Sequence, residues 1–130
     1  MLSLAASVRV FAARERVDFR KGFDGLHAIV RDLFGDDALS GALYLFFNAR
    51  RDRVKILVWD RNGFWLLSKR LERGTFQRLD GTSAKLEIDR ARLTMLLDGV
   101  DTKDSKYYRY SVRDVRITAR DDDAQTRAGR

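Results

Sequence analysis

The stretch at residues 43–76 constrains the fold most, because three segments rich in aromatic and branched side chains alternate there with polar connections. Leu43-Tyr-Leu-Phe-Phe47, Val54-Lys-Ile-Leu-Val-Trp-Asp60 and Phe64-Trp-Leu-Leu-Ser-Lys-Arg-Leu71 have strand composition and predict an antiparallel β-meander. Asn62-Gly63 is the strongest local cue, since a two-residue type I′ turn needs positive φ at both central positions, which Asn and Gly tolerate best. With Arg61 and Phe64 closing that turn, Trp59 faces Leu66, Val58 faces Leu67, Leu57 faces Ser68, Ile56 faces Lys69 and Lys55 faces Arg70. Alternation puts Val54, Ile56, Val58, Leu67 and Leu71 on a core face, and Lys55, Leu57, Trp59, Leu66, Ser68 and Arg70 on the other. A slip of one residue would exchange the two sets.

Around the meander, Val8-Arg-Val-Phe11 reads as a short strand added to it. Asp18 can cap a helix in which Phe19, Phe23, Leu26, Ile29, Val30 and Leu33 recur at helical spacing, with Gly35 ending it. Gly22 and Gly25 interrupt that pattern, each at a cost of about 1 kcal/mol relative to Ala. Either they permit a close backbone approach, or the helix begins only after Gly22. Residues 74–83 read as a linking loop, 84–88 as a strand, and Asp89 caps a short helix over 90–97 closed by Gly99. The Tyr/Arg-rich segment 106–117 suits a last strand, and the polar residues 118–130 a disordered tail.

At 130 residues the chain is the size of one domain able to bury about two-thirds of its unfolded surface. It has no cysteine, so disulfides and thiolate metal sites are excluded, which is compatible with a cytoplasmic setting. No apolar run approaches the roughly 20 residues that span a bilayer, and the first residues lack the basic start and long apolar core of a secretory signal. A net charge of +7 carried mainly by arginine favours contact with a polyanion; a solvated basic surface is the alternative reading.

Candidate polyanion contacts follow from position. Arg20 and Lys21 lie at a predicted helix start, where dipole and amides favour a phosphate, although Asp18 and Asp24 offer simple neutralisation. Arg50 and Arg51 fall in the arginine-rich connection 48–53, and guanidinium forks suit phosphate oxygens or guanine edges. Catalysis finds no support, because the single histidine, His27, is flanked by apolar positions and no nucleophile triad, phosphate loop or dinucleotide pattern is present. The chain is therefore expected to be no enzyme and to carry no metal or cofactor.

Val17-Asp-Phe-Arg-Lys-Gly-Phe-Asp-Gly-Leu26, Leu43-Tyr-Leu-Phe-Phe47 with Arg50-Arg51, Lys55-Ile-Leu-Val-Trp-Asp60, Gly63, Lys69-Arg-Leu-Glu-Arg-Gly74 and Leu96-Leu-Asp-Gly-Val-Asp101 occur in this order. Together they resemble the small accessory protein, TnpB-type and encoded by the second reading frame, of bacterial insertion sequence sixty-six elements. Phe76-Gln-Arg-Leu stands where that family often carries Trp-Pro. The resemblance implies a part in transposition beside a separate transposase of the same element, and it brings no catalytic residues with it.

The expected architecture is a single α+β domain over 1–117, an antiparallel sheet of about five strands with a long first helix packed across one face and a short second helix at its side. The expected function is non-catalytic help in transposition by binding DNA, or the transposase–DNA assembly, through Arg20, Lys21, Arg50, Arg51, Lys55, Lys69, Arg70 and Arg73, with Trp59 and Trp65 as stacking residues. The competing expectation is a protein-interaction module that docks on the transposase or forms a homo-oligomer.

Overall fold

The computed structural model describes residues 7–101 and 106–107. Five strands, β1 (Val10–Ala13), β2 (Leu43–Phe47), β3 (Arg53–Asp60), β4 (Gly63–Arg70) and β5 (Lys85–Ile88), form one sheet in the order β4-β3-β2-β1-β5. Strands β2, β3 and β4 make the expected antiparallel meander. The sheet as a whole is mixed, because β1 runs parallel to β2 while β5 closes antiparallel on β1. A parallel neighbour needs a crossover of a dozen or more residues, and the segment between β1 and β2, which contains the first helix, supplies one. Of the expected last strand, only β7 (Lys106–Tyr107) is described, paired with β6 (Val100–Asp101); the rest of 106–117 and the tail 118–130 lie outside the described residues.

The first helix is shorter than its apolar pattern suggests. Asp18 Oδ1 accepts from the Arg20 amide and Lys21 N–H donates to Asp18 O, so Asp18 organises a turn before the helix instead of capping it. Helix α1 covers Phe23–Ala28 behind Gly22 and continues as a π turn over Ile29–Leu33. Gly35 at φ +68° reverses the chain, and Asp36 N–H donates back to Val30 O. The second helix follows the sequence reading closely: α2 spans Arg90–Asp98, Asp89 Oδ1 accepts from the Arg92 amide, and Gly99 ends it.

These helices cover opposite faces of the sheet, not one face and a side as expected. Leu26 and Val30 of α1 pack with Phe11, Tyr44, Phe46 and Leu57, while Leu93 and Leu96 of α2 pack with Val10, Leu45, Val54, Ile56 and Phe76. Both faces of β1 and β2 are therefore dry, which is why Leu43-Tyr-Leu-Phe-Phe47 reads as a continuous apolar run with no alternation. Each fully buried Leu or Phe there contributes about 1.5–3 kcal/mol relative to exposure.

The β3–β4 register differs from the expected one by two residues: Trp59 lies opposite Phe64, Ile56 opposite Leu67 and Lys55 opposite Ser68. Arg61 and Asn62 form the connection, with Arg61 at φ +57°, and Gly63 opens β4. Because side chains alternate with period two, this displacement leaves the two faces unchanged. Burial fixes only that parity. Between registers of equal parity the tip contacts decide, where Trp59 meets the edge of Phe64 with centroids 4.9 Å apart and Trp65 Nε1 donates to Asp60 Oδ2 at 3.1 Å.

Candidate nucleic-acid interface

On the α1 face of the hairpin, Trp59, Leu57, Lys55 and Arg53 of β3 stand opposite Phe64, Leu66, Ser68 and Arg70 of β4. That face grades from aromatic at the tip to cationic at the base. Lys55 joins it to the turn before α1, since its Nζ donates to Phe19 O at 2.9 Å and Lys21 O at 2.8 Å. This link draws Arg20 and Lys21 over the same side of the sheet as Lys55 and Arg70. Gly25 allows the approach, because a Cβ there would lie 2.9 Å from Lys21 Cβ.

The charges on this face are unevenly neutralised. Arg20 forks onto Asp18, and these hydrogen bonds hold the Asp18 carboxyl at about 2, well below its ordinary value. The Arg20 side chain is nonetheless 91% exposed, so the pair contributes little to stability and exchanges readily for another oxyanion. Arg70 reaches Glu72 at 3.3 Å. Arg53, which sequence reasoning left out of the interface, lies directly opposite Arg70, and like charges so placed repel. The strand pattern alone carried that signal once the register was known.

Five of the expected contacts, Arg50 among them, lie elsewhere. Lys69 is on the α2 face, where its Nζ donates to Leu97 O at 2.8 Å and desolvation lowers its pKa against the opposing pull of Asp98. A cation there meets the negative end of α2, as a helix cap does. Trp65 also points to the α2 face, half exposed, so the two tryptophans lie on opposite sides of the ribbon. Arg73 follows the end of β4. Arg51 is turned inward and only 7% exposed, whereas its sequence neighbour Arg50 stays on the surface.

Asn48 explains that division of the two arginines. Its Oδ1 accepts from the Asp52 and Arg53 amides and its Nδ2 donates to Asp52 Oδ1, which folds the connection tightly and leaves Arg51 at φ +57°. Arg51 Nε then donates to Phe76 O at 3.1 Å and one Nη to Gln77 O at 2.6 Å, and the guanidinium lies over the Phe47 ring at 4.3 Å. Phe76, read from sequence as part of a linking loop, is 1% exposed and belongs to the core on the α2 face.

Other chemistry has less to build on. His27 is half-buried, stacked on Phe23 and edge-on to Phe64. Among the described residues no group of three or more His, Asp or Glu comes together to hold a metal, and no helix is long and apolar enough to cross a membrane. Asp36, a half-buried carboxylate, is taken up by Lys85 and the Tyr44 hydroxyl.

Residues 8–107 match the family model described as IS66 Orf2 like protein. Two curated proteins of Sinorhizobium fredii (strain NBRC 101917 / NGR234) align over 101 residues: the uncharacterized protein y4jC at 31% identity, covering 78% of this chain and 86% of that one, and the uncharacterized protein y4hO at 33%, covering 78% and 88%. No solved structure matches. With the family pattern running from before β1 through β7, the chain belongs to the IS66 Orf2-like family.

Proposed function

We propose that this protein assists transposition of its element without catalysing it, by binding DNA through the basic α1 face of the β3–β4 hairpin. Family membership supports the role in transposition. The DNA contact is supported by one observation above all: Arg53, Lys55 and Arg70 share a sheet face onto which Lys55 ties the Arg20–Lys21 turn. Arg53 and Arg70 repel each other in the free protein, and a phosphate between them converts that cost into attraction. Arg20, Lys21, Arg53, Lys55 and Arg70 form the proposed footprint. Trp59 adds a stacking surface at the aromatic end.

Titration of element-end duplex, random duplex and single strand over a range of salt tests this. Each lost phosphate contact reduces the slope of log K against log salt by roughly 0.9 on duplex. Arg53→Gln with Arg70→Gln should flatten the slope by about two contacts. An unchanged slope removes the hairpin face from DNA binding.

A second reading, docking on the transposase or on another copy, is favoured by β4 itself. It is an eight-residue edge strand with no neighbour on its outer side among the described residues, and Trp65 and Leu66 are exposed along it at 50% and 37%. In that case Leu66→Lys abolishes complex formation while the salt slope for DNA stays near zero.

A further inference from the structure

Among the described residues, Arg51 is a buried cation with no carboxylate bonded to it. Its described hydrogen-bond partners, Phe76 O and Gln77 O, are neutral carbonyls, and its cation–ring neighbour is Phe47. Burying a guanidinium without a counter-charge is costly, and proteins ordinarily meet that cost with a paired acid. Here a second arginine adds to the cost: burial and then the charge of Arg78 press the Arg51 pKa down to about 10. At neutral pH Arg51 remains protonated, so the positive charge stays in place.

A cavity of about 320 Å³ opens beside it, lined by Arg50, Arg51, Thr75, Phe76, Gln77, Arg78 and Val100. Three guanidinium-bearing residues meet around this space, and none of its described lining residues is acidic. The Asp52 pKa is lowered first by the hydrogen bond its Oδ1 accepts from the Asn48 amide at 2.6 Å and then, less, by the charge of Arg50, and Asp52 is not among the lining residues. The acids Glu15 and Asp80 border a second hollow, which Arg51 and Arg78 also line.

We propose that the cavity between Arg50, Arg51 and Arg78 binds a phosphate group. Arg51 supplies the fixed charge at its inner wall, held by the two loop carbonyls and the Phe47 ring, while Arg50 and Arg78 close on the phosphoryl oxygens from the surface. Guanidinium forks complement a tetrahedral oxyanion, and the threonine and glutamine side chains at the rim add neutral donors. A phosphate in a nucleic-acid strand and a free phosphate monoester present the same group. This site uses Arg78, outside the proposed DNA footprint, and stands whether or not the hairpin face binds duplex.

Thermal unfolding of the full chain in phosphate against chloride at matched ionic strength reads the site directly. Phosphate should raise the midpoint of the wild type in a saturable manner. In Arg50→Gln/Arg78→Gln the apparent affinity for phosphate should fall on the order of tenfold or more, with the midpoint in chloride little changed because both side chains are at the surface. Arg61→Gln, at the distant hairpin tip, should respond as the wild type does. An equal phosphate response in the Arg50/Arg78 variant, or none in the wild type, overturns the proposal. Among supporting results, duplex affinity that falls with the same variant assigns the site to a strand phosphate, and unchanged duplex affinity assigns it to a free ester.

Discussion

Strands β2 and β4 are both dominated by large apolar side chains, yet the sheet treats them oppositely. Leu43-Tyr-Leu-Phe-Phe47 is buried at every position, between α1 on one face and α2 on the other, with a strand on each side. Phe64-Trp-Leu-Leu67 has, among the described residues, one neighbour strand, partial cover, and cations at its far end. Composition made both of them strands; coverage decided which became core. An exposed edge ending in Lys69 and Arg70 is also poorly suited to indiscriminate pairing, because charged side chains discourage added strands.

The largest test of this contrast is a matched pair of truncations. Phe46→Ala, at a side chain with no exposure that stacks on Phe34, should cost about 3–5 kcal/mol by denaturant unfolding. Trp65→Ala, at half exposure, should cost markedly less despite removing a larger ring. Equal losses would show that β4 is covered in solution, pointing to self-association.

A smaller effect separates the strands at alkaline pH. Burial, with the Asp36 carboxylate nearby, pushes the Tyr44 hydroxyl up to about 12 from its ordinary 10, so the folded state holds that proton more tightly than the unfolded chain does. Its contribution is complete below pH 10 and disappears as pH rises through about 12. Wild type should therefore lose stability relative to Tyr44→Phe across that window, followed by urea unfolding alongside tyrosinate absorbance. A constant difference would mean that Tyr44 titrates as though exposed. Smallest of all, Leu66→Thr on the open part of β4 should shift stability by only about 0.5 kcal/mol; a loss several times larger would put Leu66 inside an interface.

What the sequence made legible was mostly local. The meander, the faces of the hairpin and the Asp89-capped second helix follow from alternation, turn residues and capping, each decided within a few positions. The parallel placement of β1 was not legible from its own pattern, although a helix between two strands is the usual sign of a crossover. Asp18 misled because its side chain serves a turn as readily as a helix start. The interface was legible as charge and illegible as geometry. Arg50 and Arg51 are neighbours of identical chemistry, and only the Asn48-held turn, together with the carbonyls of Phe76 and Gln77, sends one outward and the other in. Those partners are a long way along the chain, so no local window contains them.

Strand β1 lies between β2 and β5, and that position has a consequence for biosynthesis. A ribosome delivers β1 first and β5 only after the whole meander, so until residues 85–88 emerge, the uncharged Val10-Phe-Ala-Ala13 ribbon keeps one side of its backbone unclaimed. A nascent chain at that stage offers a sticky margin to its neighbours on the polysome, and the Lys85-Leu-Glu-Ile88 segment, carrying one charge of each sign, is what finally closes it.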